Sequence, residues 1–205
     1  MPVTWARIDQ KLIHGQVTAA WVPFLRIGEI VVIDDCVKSD DMTQAILTSG
    51  VPYKVATAFT TAQEAADYLA SRPDPFVRRM LIFRDVPTVK AAVDSGLLLE
   101  SLNLGNLSYL PSANSLRLSD CFYAAPDDLE ILDNLAAGGL KLFLQSVPAD
   151  KPKPFPSKLV EPKPVESKSI ESKPVEPKSV DSKPAESKSV DQKPVKPNSA
   201  PGSDP

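Results

Sequence analysis

The chain is 205 residues long and 42% apolar, with a formal net charge of −3, 21 prolines, two cysteines and one histidine. Its charge is uneven: residues 1–150 hold 12 Lys/Arg against 18 Asp/Glu, a net of −6, whereas residues 151–205 hold 11 against 8, a net of +3. An acidic first part argues against non-specific nucleic-acid binding, which needs clustered Lys/Arg, and one histidine with two cysteines lacking CxxC spacing argues against a zinc site.

Residues 1–150 have the size and composition of one domain with a single core. Cys36 and Cys121 lie in or beside apolar segments and are expected to be small, buried, reduced thiols. The N-terminus shows no basic segment followed by an apolar one, and no apolar run reaches 18 residues. The expectation is a cytoplasmic protein.

The first predicted strand is Val3–Ile8, followed by helical spacing over Gln16–Phe24 and a β-branched run at Glu29–Ile33. Asp41–Leu47 opens with acids suited to a helix N-terminus, and Tyr53–Thr57 reads as the next strand. Thr60–Ala70 begins Thr-Thr-Ala-Gln-Glu, a threonine cap followed by Gln or Glu, as in a capping box. Then come a strand at Met80–Phe83, a helix at Val86–Ser95 stopped by Gly96, and a strand at Ser101–Leu104. Ser108–Ala125 breaks the rhythm with a loop around Pro111 and a short strand at Cys121–Ala124, expected at an antiparallel edge. A helix at Pro126–Ala137, stopped by Gly138-Gly139, and a strand at Leu140–Leu144 complete the domain. This alternation predicts an α/β fold: an open, mainly parallel, doubly wound sheet of about six or seven strands with helices on both faces.

From Val160 to Pro194 the sequence repeats in pentads: VEPKP, VESKS, IESKP, VEPKS, VDSKP, AESKS, VDQKP. A period of five fits neither helix nor strand, and the recurrent prolines remove backbone donors. One small aliphatic residue per pentad buries too little area to offset the entropy of ordering. Residues 151–205 are therefore expected to form a disordered tail, and a chain ended near Asp150 to keep its stability.

The lone His14 falls just past the carboxyl end of the first predicted strand, where open α/β sheets place their ligand sites. Gly15 would let a ligand approach the backbone closely, and a helix start attracts anions. Arg7 and Lys11 add positive charge, and Asp9 is placed to orient the imidazole or the cations. This combination suits an anionic group brought to a nucleophilic imidazole, as in phosphoryl transfer. On local features alone, a capping or packing role for the histidine remains open. A second candidate is the acid pair Asp34-Asp35, which suits either a Mg²⁺-dependent phosphoacceptor of the receiver type or a turn leading into a helix. The receiver reading would need Asp85 and Lys141 as further members. A third possibility is a binding module in which His14 is incidental.

"RIDQKLIHGQV" (Arg7–Val17), with Trp21 following, resembles the signature of the IIB component of the mannose/fructose/sorbose family of the bacterial sugar phosphotransferase system (PTS). That pattern runs Arg-Ile-Asp-x-Arg-Leu-Ile-His-Gly-Gln-Val, and Lys11 stands where arginine is usual. "EIVVIDDCV", "LNLGNL" (Leu102–Leu107) and "GGLKLFLQSVPAD" resemble later segments of the family, in order, across nearly all of residues 1–150. A second departure lies at Asn106 and Pro111-Ser112-Ala113-Asn114, where the family often has a further glycine and a Gly-basic pair; here the next cation is Arg117.

The resemblance implies an α/β phosphotransferase whose histidine, here His14, takes a phosphoryl group from a IIA component. It then passes that group to a sugar at the membrane components IIC and IID. The resemblance places Arg7, Asp9 and Lys11 around the phosphohistidine, with Gly15 and Gln16 as phosphate-binding positions. No metal or organic cofactor is implied, because the phosphate arrives activated. The family alternative is a regulatory IIB-like protein that is phosphorylated but transports little.

Overall fold

The computed structural model describes residues 3–108 and 115–156. Seven strands form the main sheet: β1 (Val3–Asp9), β2 (Glu29–Ile33), β3 (Ala56–Thr60), β4 (Arg79–Phe83), β5 (Ser101–Asn106), β8 (Lys141–Leu144) and β9 (Lys153–Pro154). Their order is β3-β2-β4-β1-β5-β8-β9, parallel throughout except for the β8–β9 pair. The expected α/β fold, with a mainly parallel sheet, is the observed one. β1 is the central strand, so its carboxyl end has neighbours on both sides.

β2 and β4 are buried on both faces, which explains their unbroken apolar runs. Along β2 and β4, Val31, Ile33, Leu81 and Phe83 point into one core cluster, and Ile30, Val32, Met80 and Ile82 into the other. The first cluster is covered by α4 (Ala65–Ala70), α5 (Val86–Asp94) and α6 (Pro126–Ala137), through Leu69, Val89 and Leu132. The second lies under the first helix, α2 (Asp35–Lys38) and α3 (Asp41–Ser49), through Trp21, Val37 and Leu47. Each large apolar side chain buried this way contributes about 1.5–3 kcal/mol.

Local chemistry sets the boundaries. Asp34, Asp40 and Asp85 cap α2, α3 and α5 by accepting the N–H groups of Val37, Thr43 and Thr88 at 2.8, 3.1 and 2.9 Å. Gly96 and Gly139 follow α5 and α6 at φ of +97° and +99°, the left-handed conformation that glycine adopts at a helix stop. The Gln16–Phe24 helix is not uniform. Val17–Trp21 winds as a π-helical turn, closed by the Val22 N–H on the Val17 carbonyl, and continues into α1 (Val22–Leu25). Pro23 follows immediately and has no N–H to continue a regular α ladder.

Several expectations shift. β3 runs Ala56–Thr60 rather than Tyr53–Thr57, because a turn closed by the Val55 N–H on the Pro52 carbonyl holds Tyr53 in solvent. The helix expected from Thr60 begins as α4 at Ala65. Thr60 belongs to β3, and the Thr61 hydroxyl accepts the Glu64 N–H at 3.1 Å in the intervening turn. The Cys121–Ala124 segment is not an edge of the main sheet. Its Phe122–Ala124 part, β7, pairs antiparallel with β6 (Leu116–Ser119) in a separate ribbon. That ribbon is tied to the end of β5 by a bridge from Leu107 to Phe122, whose ring is fully buried. The thiols are not buried: Cys36 is exposed, Cys121 is half-buried, and both are free.

The packed domain also does not stop at Asp150. β9 pairs with β8, Phe155 is 8% exposed within the first cluster, and its N–H donates to the Leu142 carbonyl at 3.1 Å. The boundary expected between 150 and 151 therefore moves beyond Phe155, because an aromatic side chain and a pair of ladder residues follow it. The pentads, residues 160–194, and the Pro111–Asn114 segment lie outside the described residues.

Candidate active site

His14 sits between the carboxyl end of β1 and the first helix. The helical run begins at Gly15, and the His14 carbonyl accepts the N–H groups of Val17 and Thr18 at 2.9 and 3.0 Å. The loop reaching it is constrained. Leu12, fully packed in the second core cluster, holds φ at +54°, a left-handed conformation that costs a non-glycine residue roughly 1–2 kcal/mol. Burial of Leu12 and Ile13 in that cluster anchors the loop immediately before His14.

Asp9, the last residue of β1, is fully buried and joins the site together. Its Oδ2 lies 3.1 Å from His14 Nε2, accepts from Arg7 Nε at 3.0 Å, and forms an ion pair with Arg7 Nη2 2.9 Å away. Its Oδ1 accepts the Lys11 N–H and Asn106 Nδ2, both at 3.2 Å. Burial alone would raise the Asp9 pKa, but the His14 hydrogen bond and the Arg7 charge outweigh it and hold the carboxyl below its ordinary range. An ionised Asp9 is acceptor-only, so the Nε2 facing it carries a proton, and the neutral form of the ring that fits this contact has its lone pair at Nδ1. Nδ1 has no hydrogen-bond partner among the described residues, and the side chain is 23% exposed.

Arg7, expected around the phosphohistidine, is joined to His14 through Asp9 and lies beneath it. Its side chain has no exposed surface, and its donors are committed to protein acceptors. Besides Asp9, Nη1 donates to Asn103 Oδ1 at 2.5 Å and the Gln145 carbonyl at 3.1 Å, and Nη2 to the Ser146 carbonyl at 3.2 Å. The Trp21 ring lies 5.4 Å from the guanidinium, and its Nε1–H shares the Ser146 carbonyl at 3.1 Å. Burial pulls the Arg7 pKa below the usual guanidinium value, with Asp9 opposing. The backbone of β5 passes so close that a Cβ on Gly105 would overlap Cζ, Nη1 and Nη2 of Arg7. Arg7 thus fixes Asp9 and the 145–146 turn from below.

The other sequence candidates lie on the open side. Lys11 is exposed and forms no ion pair among the described residues, so its ammonium is available to an incoming anion. Gly15 and Gln16 are the first residues of the helical run, where N–H groups precede any intrahelical acceptor. Gly15 is exposed, and a Cβ on it would meet nothing within 4 Å outside its immediate chain neighbours. The structure therefore brings His14, Asp9 and Arg7 into one bonded chain and leaves Lys11, Gly15 and Gln16 at the surface around it.

Sequence reasoning missed the roles of Asn103, Gly105, Trp21 and the Gln145–Ser146 carbonyls. The "LNLGNL" run and Trp21 marked the family, but nothing in their types pointed to a buried guanidinium.

The acid pair is used structurally. Asp34 caps α2 and pairs with Arg84, while Asp35 Oδ1 accepts the Ala62 N–H at 2.9 Å. Asp85 caps α5, so the carboxylates required by a receiver-type site already have partners. No group of three or more His, Cys, Asp or Glu residues suited to a metal ion occurs among the described residues.

Residues 3–170 match the family described as PTS system sorbose subfamily IIB component. The chain is 30% identical over 151 residues to the N-acetylgalactosamine-specific phosphotransferase enzyme IIB component 1 of Escherichia coli, covering 73% of this chain and 94% of that relative. It is 26% identical over 150 residues to the E. coli mannose-specific EIIAB component, covering 73% of this chain and 46% of the relative. The crystal structure of the E. coli N-acetylgalactosamine-specific IIB component 1 superposes with a TM-score of 0.68 at 29% identity, covering 76% of this chain and all of that one. The chain belongs to the sorbose-subfamily IIB components of the PTS, and is a phosphotransferase with a role in sugar phosphotransfer.

Proposed function

We propose that His14 is the phosphoryl carrier and that Nδ1 is the atom that bears the group. The observation that carries this reading is the 3.1 Å contact of Nε2 with buried Asp9, which leaves the other ring nitrogen without a partner among the described residues on a partly exposed side chain. In the first step the Nδ1 lone pair attacks the phosphorus of a phosphohistidine on a IIA component. The donor's P–N bond breaks and its electron pair stays on the donor nitrogen. The similarity to a relative named EIIAB supports a IIA partner. In the second step a sugar hydroxyl attacks the phosphorus, the P–Nδ1 bond breaks, and the pair returns to Nδ1. The hydroxyl proton goes to a base at the sugar's own site, at the membrane components IIC and IID.

Each neighbour has a defined part. Asp9 stabilises the positive charge that the ring develops when Nδ1 bonds phosphorus. Lys11 neutralises the phosphoryl oxygens, together with the N–H groups at Gly15 and Gln16. Arg7 positions Asp9 without touching phosphate. The chemistry is positioning and charge stabilisation on a group that arrives activated.

This phosphocarrier domain extends through Phe155, followed by the pentapeptide tail. Among the described residues no helix is long and apolar enough to cross a membrane. The working location is the cytoplasm, at the inner face of the membrane through IIC and IID.

Incubation with a phosphorylated IIA component, read by intact mass, tests the proposal. The wild type gains one acid-labile phosphoryl group and His14→Ala gains none. Lys11→Ala slows the gain by about one to three orders of magnitude, and Lys11→Arg preserves it. Uptake by His14→Ala at a comparable rate would overturn the reading.

A further inference from the structure

Asn106, the last residue of β5, reaches the histidine loop twice. Its carbonyl accepts the Gln10 N–H at 2.8 Å, and its amide Nδ2 donates to Asp9 Oδ1 at 3.2 Å. The amide's direction is set from its other end: the Ser108 hydroxyl donates to Asn106 Oδ1 at 2.8 Å, turning the NH₂ group toward Asp9. This second contact has a specific geometric use. Arg7 grips Asp9 through Nε and Nη2, but both fall on Oδ2, the oxygen that also faces His14. Oδ1 is held separately, by Asn106 and the Lys11 N–H, so the carboxylate plane is set from both oxygens.

We infer that Asn106, set in place by Ser108, is a positioning residue that fixes the Asp9 carboxylate plane and so holds His14 as the Nε2–H tautomer, with Nδ1 as phosphoryl acceptor. It touches neither phosphate nor imidazole. Its effect on transfer rests on the proposed role of His14, whereas its effect on the tautomer does not. The residues that select the nitrogen thus come from two strands, β1 for the carboxylate and β5 for the amide that orients it.

The test uses the full chain with ¹⁵N-labelled histidine, first unphosphorylated. The wild type should show one neutral tautomer, protonated at Nε2, and Asn106→Ala a mixture. Ser108→Ala should give a smaller admixture, and Ser108→Thr, which keeps the hydroxyl, should restore the single form. With the phosphorylated IIA component, Asn106→Ala should lose about ten- to hundredfold in kcat, the range for outer partners that orient a reacting ligand, at unchanged KM for the donor. Part of its phosphoryl group should appear on Nε2. A folded Asn106→Ala with the wild-type tautomer would overturn the inference, as would a wild-type ring that is itself a mixture. If Asn106→Ala does not fold, exposed Ser108 decides: a wild-type tautomer in Ser108→Ala overturns it. A wild type that takes no phosphoryl group on His14 overturns the functional reading, while the tautomer spectra still decide the role of Asn106.

Discussion

Asp9 Oδ2 faces His14 Nε2 at 3.1 Å while the same oxygen bears the buried Arg7 guanidinium at 2.9 Å. One carboxylate oxygen therefore serves two masters: it balances a fully buried cation and orients the ring that is to react. These duties separate on mutation. Asp9→Asn keeps the shape but removes the charge, leaving Arg7 buried without a counter-ion at a cost of about 3–5 kcal/mol. It also removes the charge that supports a positive ring, with an expected loss of about a thousandfold or more in transfer rate. His14→Ala should lose transfer and keep stability. Thermal melting alongside phosphotransfer on both variants checks this, and an Asp9→Asn protein as stable as His14→Ala would mean that Arg7 does not depend on Asp9.

Acid should expose the same pair. The folded-state pKa of Asp9 lies below the ordinary 3.8, because its hydrogen bond from His14 and the Arg7 charge outweigh burial. Its contribution to stability is thus fully present above pH 3.8 and is lost as pH falls through the lower folded value. Asp128 behaves oppositely, since burial raises its pKa. The informative quantity is therefore the difference between wild type and Asp9→Asn, in which Asp128 cancels. That gap in denaturation free energy should be constant at neutral pH and narrow below about pH 4. A gap independent of pH down to acid unfolding would contradict the depressed pKa.

Much of this was legible in the sequence, for physical reasons that also mark where it stopped. β2 and β4 are apolar on both faces, and such runs between glycine stops and aspartate caps leave few alternatives to a parallel sheet. His14, Asp9 and Lys11 stood out because they share one loop and one short segment. The rest of the site depends on pairings across long sequence separations. Asn103 and the 145–146 carbonyls meet Arg7 from 96 to 139 residues away, and such contacts leave no periodicity to read. Arg7 illustrates the limit this sets. Its type and spacing marked it as a charge near His14, whereas its burial beneath Asp9 and its partners on β5 depend on the register of β1 against β5.

Gly105 tests how tightly that buried layer is built. A methyl group there would overlap the Arg7 guanidinium, whereas one on Gly15 would meet open space. Gly105→Ala must push Arg7 away from Asp9 and Asn103, and overpacking of this kind costs about 1–3 kcal/mol. Transfer should fall with it, because Asp9 loses its anchor. Gly15→Ala should leave melting unchanged and affect only the approach of the donor. Unchanged melting of Gly105→Ala would show that the guanidinium has room to relax, and that the clamp on Asp9 is loose.

The end of the domain gives the last test. Composition changes at Lys151, yet the structure places Lys153–Pro154 against β8 and packs Phe155, 8% exposed, into the core beside Leu142. Compositional drift marks where a chain stops resembling a globular domain. It does not mark where the last side chain finds a cavity, and a single aromatic residue suffices to extend the packed region. Ending the chain at Asp150 strips the β8 edge of its partner and empties the Phe155 position, and loss of a buried phenylalanine costs about 3–5 kcal/mol. Ending it after Pro156 retains both features. The chain ended at 156 should therefore unfold at a higher denaturant midpoint than the chain ended at 150. Phe155→Ala in the full-length protein should reproduce most of the difference, which separates the lost ring from the lost strand pairing. Equal midpoints for the two truncated chains would mean that the segment after Asp150 only rests on the domain, and that composition had placed the boundary correctly.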